Sequence, residues 1–183
     1  MWILGGIVIL AVFGATGYNS LVRRRNRVDQ AYSTIEVQLV QRYDLIPKLV
    51  ETVKQYMGHE RSLLEDIVRL RQKAVSSTSQ AGKIQADNEL SRAMGQLNVT
   101  MENYPQLKAS DTFVQLQRSL NEVEEQLAAA RRSYNGAVVD YNNAVQTFPS
   151  SLVAGTMSFG TRTMFVSDEK KRGDVDMRGL FKA

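Results

Sequence analysis

The chain has one histidine, His59, followed by Glu60 and then by Glu65 and Asp66, and these are residue types that hold a divalent metal or carry out acid–base chemistry. Adjacent side chains leave a helix on different faces, so His59 and Glu60 would need further ligands from a neighbouring helix. A lone histidine in a charged helical stretch is more simply a hydrogen bonder at a surface or bundle edge. A Ser/His/Asp triad would have to be built on the same residue. The absence of cysteine removes thiol nucleophiles, thiolate metal sites and disulfides together. The sequence has no Gly-rich phosphate loop, paired metal motif or nucleophile elbow. The expectation is a protein with no catalytic residue, no metal and no cofactor.

Two further groups carry polar chemistry. Arg131 and Arg132 are suited to phosphate or carboxylate recognition, and the simpler expectation pairs them with acidic residues of an adjacent helix such as Glu60 or Glu65. Tyr134-Asn135 and Tyr141-Asn142 repeat one heptad apart, and Asn19 also follows a tyrosine, Tyr18. Such pairs make either a polar layer that sets helix register inside a bundle or a strip for binding a protein, and the packing role is the expectation.

These residues must be positioned by helices, and the first one is apolar. No residue of 1–22 is charged, and as a helix this run spans roughly 33 Å, close to the thickness of a bilayer's hydrocarbon core. Arg23, Arg24, Arg25 and Arg27 follow at once, where a cleavable signal peptide would carry its positive charge before the apolar run. Arginines beside a membrane helix stay in the cytoplasm, so the predicted topology is a single pass through the inner (plasma) membrane with the N-terminus outside. Trp2 and Tyr18 sit at the two ends of the segment as interfacial anchors. Gly6, Gly14 and Gly17 fall within an arc of about 80°, a groove where another helix could approach. The four arginines also account for the net charge of +4, since the remaining 19 basic residues equal the 19 acidic ones. A balanced remainder excludes a basic stripe for nucleic acid.

Beyond the arginines, Val28, Ala31, Ile35, Leu39, Ile46, Val50, Val53, Met57, Leu64 and Ile67 recur at near-helical spacing. Pro47 removes a backbone donor and should bend or break this helix, with Asp44 as a cap if it restarts. The polar run 76–82 reads as a turn. Ile84, Leu90, Met94, Leu97 and Met101 stripe the next helix, which should stop at Asn103-Tyr104-Pro105. Ser110 or Asp111 starts another, with an apolar face from Phe113 through Tyr134 and Tyr141 to Phe148, ending at Pro149. The expected fold is all-α: a transmembrane helix over 1–22 continuing into an elongated antiparallel bundle over 23–148. That bundle has three long helices, or four if the chain reverses at Pro47, and a loosely ordered tail comes after it over 149–183.

The runs Tyr18-Asn19-Ser20-Leu21-Val22, then 42–54 with Asp44 and Pro47, then His59-Glu60 resemble the opening of the LemA family of bacterial membrane proteins. The blocks at 102–109 with Asn103, Tyr104 and Pro105, at 130–135 with Arg131, Arg132, Tyr134 and Asn135, and at Tyr141-Asn142 with Phe148-Pro149-Ser150 extend the likeness in the same order. It spans about 18–159. The resemblance implies a membrane anchor, a cytoplasmic helical bundle and no established enzymatic activity, with scaffold or partner-binding roles at membranes. The turn after Ala74 and the tail beyond Thr161 depart from the family's pattern. The expected role is a membrane-anchored scaffold or interaction protein that self-assembles as a homo-oligomer, touching membrane lipid and possible membrane-protein partners. The alternative is an accessory subunit of a neighbouring membrane enzyme such as a protease.

Overall fold

The structure, a computed structural model, describes residues 2–165 apart from the side chains of 2–4 and 7–11. All the regular elements of the described residues are helical: α1 (Trp2–Lys54), α2 (Arg61–Ser76), α3 (Gln80–Thr100), a 3-10 turn (Met101–Asn103), α4 (Pro105–Lys108), α5 (Asp111–Gln146) and α6 (Ser150–Thr156). Among the described residues no helix is long and apolar enough to cross a membrane. The expected membrane segment 1–22 falls partly on side chains outside them. They form two compact units, one of residues 2–41 with Glu122–Phe165 and the other Arg42–Asn121. Both α1 and α5 run through the two units.

In the first unit α1 and α5 run antiparallel, as the facing pairs Tyr32 with Tyr134 and Arg24 with Asp140 show. Its core is Val28, Ile35 and Leu39 of the predicted α1 stripe, joined by Leu21, together with Val123, Leu127, Tyr134 and Tyr141 of the predicted α5 face, joined by Val138. Burial of each aliphatic side chain of this kind contributes about 1.5–3 kcal/mol. Phe148 does not continue the stripe. The chain turns after Gln146, and Phe148 stands 80% exposed.

In the second unit the turn that separates α1 from α2 is not at Pro47. Pro47 lies inside α1, which ends at Lys54, and the chain reverses through residues 55–60. Three bonds close the helix end: Gln55 N–H donates to Thr52 O, and Tyr56 and Met57 N–H donate to Val53 O. A proline in a helix removes the donor to the carbonyl four residues back, here Tyr43. Arg71 Nε on α2 donates to that carbonyl at 2.7 Å, and Arg71 Nη2 stands 4.0 Å from the Asp44 carboxylate. The helix therefore continues because a neighbouring guanidinium supplies the missing donor. Because the helix does not restart there, Asp44 sits mid-helix on the exposed side and caps nothing.

The stripe read as one face from Val28 to Ile67 is thus shared by two helices, with Met57 buried between them in the turn. Helices α2 and α3 form an antiparallel hairpin across residues 77–79, where Ser79 Oγ accepts from Gly82 N–H at 3.1 Å as an N-cap. Leu90, Met94, Leu97 and Met101 are buried as the periodicity predicts. The surface of this unit carries short ion pairs. Arg69 meets Asp66 at 2.8 Å, Glu65 lies 3.8 Å from Arg61, and Glu89 takes Lys73 of α2 at 2.6 Å.

Candidate functional site

The segment after α6 is where expectation and structure part most. Residues 159–165 run extended along α5 in the opposite direction, held by side chains that reach its backbone. Tyr141 OH donates to Gly160 O at 2.9 Å and Tyr134 OH to Thr163 O at 2.9 Å. Asn142 makes a two-bond amide pair with Arg162, donating Nδ2 to its carbonyl at 2.8 Å and accepting its N–H on Oδ1 at 2.8 Å. Asn135 does the same with Phe165, at 2.9 and 2.7 Å. A side-chain amide copies the donor and acceptor pattern of a peptide group, so each asparagine takes the place of a neighbouring strand.

The spacing results from the geometry of the two chain forms. One heptad of helix rises about 10.5 Å, and three extended residues span about 10 Å. Tyr141 and Tyr134 therefore read residues 160 and 163, and Asn142 and Asn135 read 162 and 165. One heptad further back stand Leu127 and Ala128, which cannot continue the pattern. The segment expected to be loose from 149 onward is accordingly a short helix and then a clamped strap as far as Phe165. Residues 166–183 lie outside the described ones. Tyr134 and Tyr141 keep their rings buried between the helices, Tyr134 against Tyr32, while their hydroxyls and the amides of Asn135 and Asn142 bind the strap rather than another helix.

The remaining singled-out residues divide between the clamp's surroundings and the second unit. Arg131 lies over the Phe165 ring at 4.6 Å and Arg132 is exposed on α5, so the guanidinium expected against Glu60 or Glu65 faces an aromatic ring. Arg25 lies over the Phe159 ring at 5.5 Å, and Tyr18 meets the same ring edge-on at 5.7 Å. Arg24 Nη1 donates to Asp140 O at 3.4 Å, whereas Arg23 and Arg27 are exposed. Arg24 and Arg27 line a polar groove of about 490 Å³ between α1 and α5 with Gln30, Thr34, Ser133 and Asp140. Gly17 is covered by Val153 of α6, while a Cβ at Gly6 or Gly14 would meet only open space. The Trp2 side chain lies outside the described residues.

In the second unit His59 is exposed in the turn, and no cluster of three metal-ligating side chains occurs among the described residues. Asn103 closes the 3-10 turn, Tyr104 O accepts from Leu107 N–H at 3.1 Å, and Pro105 opens α4. Pro149, after a cis peptide bond, opens α6 in the first unit. The contact that sequence reasoning missed is Arg42 with Asp87, at 2.7 Å and with side chains 2% and 0% exposed, joined by Ser91 Oγ at 3.0 Å from the same guanidinium nitrogen. Arg42 lies in the apolar register of α1, beside Tyr43, and that register was the available signal.

Two titrations are shaped by these surroundings. Burial, helped by the nearby Glu36 charge and by Tyr134, pushes the Tyr32 phenol up to about 12. The Lys73 ammonium hydrogen-bonded to Glu89 holds that carboxyl below its usual range.

The family model described as LemA family matches residues 31–178. The chain is 26% identical to a protein LemA of Metamycoplasma hominis over 88% of this chain and 74% of the relative. It is 25% identical to the magnetosome protein MamQ of Magnetospirillum gryphiswaldense over 86% of this chain and 67% of that one. It is 32% identical to the magnetosome protein MamQ 2 of Paramagnetospirillum magneticum, over 49% of this chain and 32% of that one.

Proposed function

The chain belongs to the LemA family, and from that premise we propose that it is a membrane-anchored helical scaffold, held by residues 1–22 in the inner membrane and self-assembling at the cytoplasmic face. One observation carries the reading: the uncharged run 1–22 passes through Arg23, Arg24, Arg25 and Arg27 into the bundle within a single helix, Trp2–Lys54. Uncharged length favours the bilayer, and the guanidinium groups oppose passage of the chain beyond them. Confinement to a bilayer raises the effective concentration of copies, and Gly6 and Gly14 leave α1 open to close approach by another helix.

A tag fused after Ala183 is expected to resist protease added to intact cells and to be cut only after lysis. Cleavage from outside overturns the topology. Cross-linking in native membranes is expected to yield a ladder of homo-oligomers. Recovery of one membrane enzyme at fixed ratio, with no self-linked product, would replace the scaffold by an accessory subunit.

A further inference from the structure

Charged residues make up 23% of this chain, yet Tyr141 through Thr161 contains none, a second uncharged stretch nearly as long as 1–22. The fold brings the two together. Val153 and Ala154 of α6 bury against Leu21, with Ala144, Val145 and Phe159 around them. A Cβ on Gly17 would stand 3.1 Å from a Val153 methyl, so α6 rests directly on α1 where the apolar run ends. While Val153 and Ala154 face inward, Phe148, Leu152 and Met157 point away at 80%, 61% and 57% exposure. On α1 just before this level, Val12 and Phe13 are also exposed.

Scattered exposed apolar side chains are ordinary, but three of them on one stretch of chain without a charged residue mark an interaction surface. The charge map identifies its occupant. Arg25, over the Phe159 ring, and Arg24, bonded to Asp140 O, border the patch on the side toward the bundle. From Gly17 to Arg24 the helix rises about 10 Å, the depth over which an interfacial segment buries its apolar face and meets headgroup phosphates. We infer that the turn at Phe148 and the outer face of α6 form a second membrane contact, a foot in which Phe148, Leu152 and Met157 enter the boundary between acyl chains and headgroups beside α1. The inference rests on the anchoring proposed for 1–22. It adds a function for Phe148, which the helix stripe assigns to the core and the fold places outside it.

The full-length protein with Trp2→Phe and Phe148→Trp, reconstituted in vesicles of phosphatidylethanolamine and phosphatidylglycerol, carries one reporting indole. Its emission is expected to shift to the blue and to be quenched more by lipids brominated near the headgroup than near the chain ends. The Trp2→Phe, Val99→Trp protein supplies an exposed reference and should be unquenched. The unmodified protein reports the anchor separately through Trp2. If Trp2 is quenched while the indole of the Phe148→Trp protein is not, the foot is overturned and the anchor stands. Should neither be quenched, the anchoring itself fails. A blue-shifted, unquenched indole whose emission reddens as the protein is diluted in lipid assigns the patch to a second copy and also overturns the foot.

Discussion

The two units of the molecule solve the same problem with opposite chemistry. In Arg42–Asn121 the buried polar contact joins two charges, Arg42 on α1 and Asp87 on α3, inside an otherwise apolar core. In the unit of 2–41 with Glu122–Phe165, neutral side chains of α5 bind the backbone of the strap. A buried charge pair is all or nothing, because either partner alone is a charge without its counterion in a low-dielectric site. Amide and phenol bonds to backbone are modular, and they ignore the side chains of the segment they hold. The first therefore specifies which helix face meets which, and the second specifies only that an extended chain with free N–H groups lies at the right height.

The contrast breaks most sharply at Arg42. Arg42→Ala is expected to destabilise the protein by about 3–5 kcal/mol in denaturant unfolding, whereas Arg42→Met combined with Asp87→Leu recovers most of the loss, since the buried charge is gone. A double variant as unstable as the single one would mean that the pair's geometry, not its charge, matters.

On the other side, Asn135→Ala should cost about 1–3 kcal/mol and Asn142→Ala less, because the Asn135 pair is half-buried and the Asn142 pair exposed. Hydrogen exchange at the Phe165 and Arg162 amides is the direct readout, and each variant should deprotect its own amide first. Thr163→Ala keeps the backbone acceptor of Tyr134 and should leave exchange unchanged.

Arg71 tests the proline repair within the charged unit. Arg71→Ala is expected to cost about 1 kcal/mol, and the cost should shrink when Pro47→Ala restores a helical donor to the Tyr43 carbonyl. Equal costs in both backgrounds would disconnect Arg71 from Pro47.

The smallest effect is at Tyr32, in the neutral unit. Its hydroxyl is buried with no hydrogen-bond partner among the described residues, so Tyr32→Phe should gain up to about 1 kcal/mol at neutral pH. A phenol raised from 10 to about 12 on folding adds stability that is complete below pH 10 and disappears as pH rises through 12. The wild type should therefore lose stability relative to Tyr32→Phe across that window, measured as the difference between the two unfolding curves.

Helical periodicity is local, and so the long helices, most of their buried stripes and the place where α5 begins were legible residue by residue, whereas the short α6 reads as tail and Pro47 as a bend or break in α1. The arginines after an uncharged run were equally plain, since charge and length need no partner to be counted. What the chain could not show alone was the partner of each polar group. Tyr134, Asn135, Tyr141 and Asn142 stood out by their heptad, but the segment they hold becomes adjacent only when the chain returns along α5. Pro47 announced a lost hydrogen bond, and only packing of α2 against α1 showed that Arg71 replaces it and moves the corner to residues 55–60. Arg42 and Asp87 are 45 positions apart, and only the approach of α3 to α1 makes them a pair. Periodicity states which face a side chain takes, while the identity of whatever meets that face is a property of the fold.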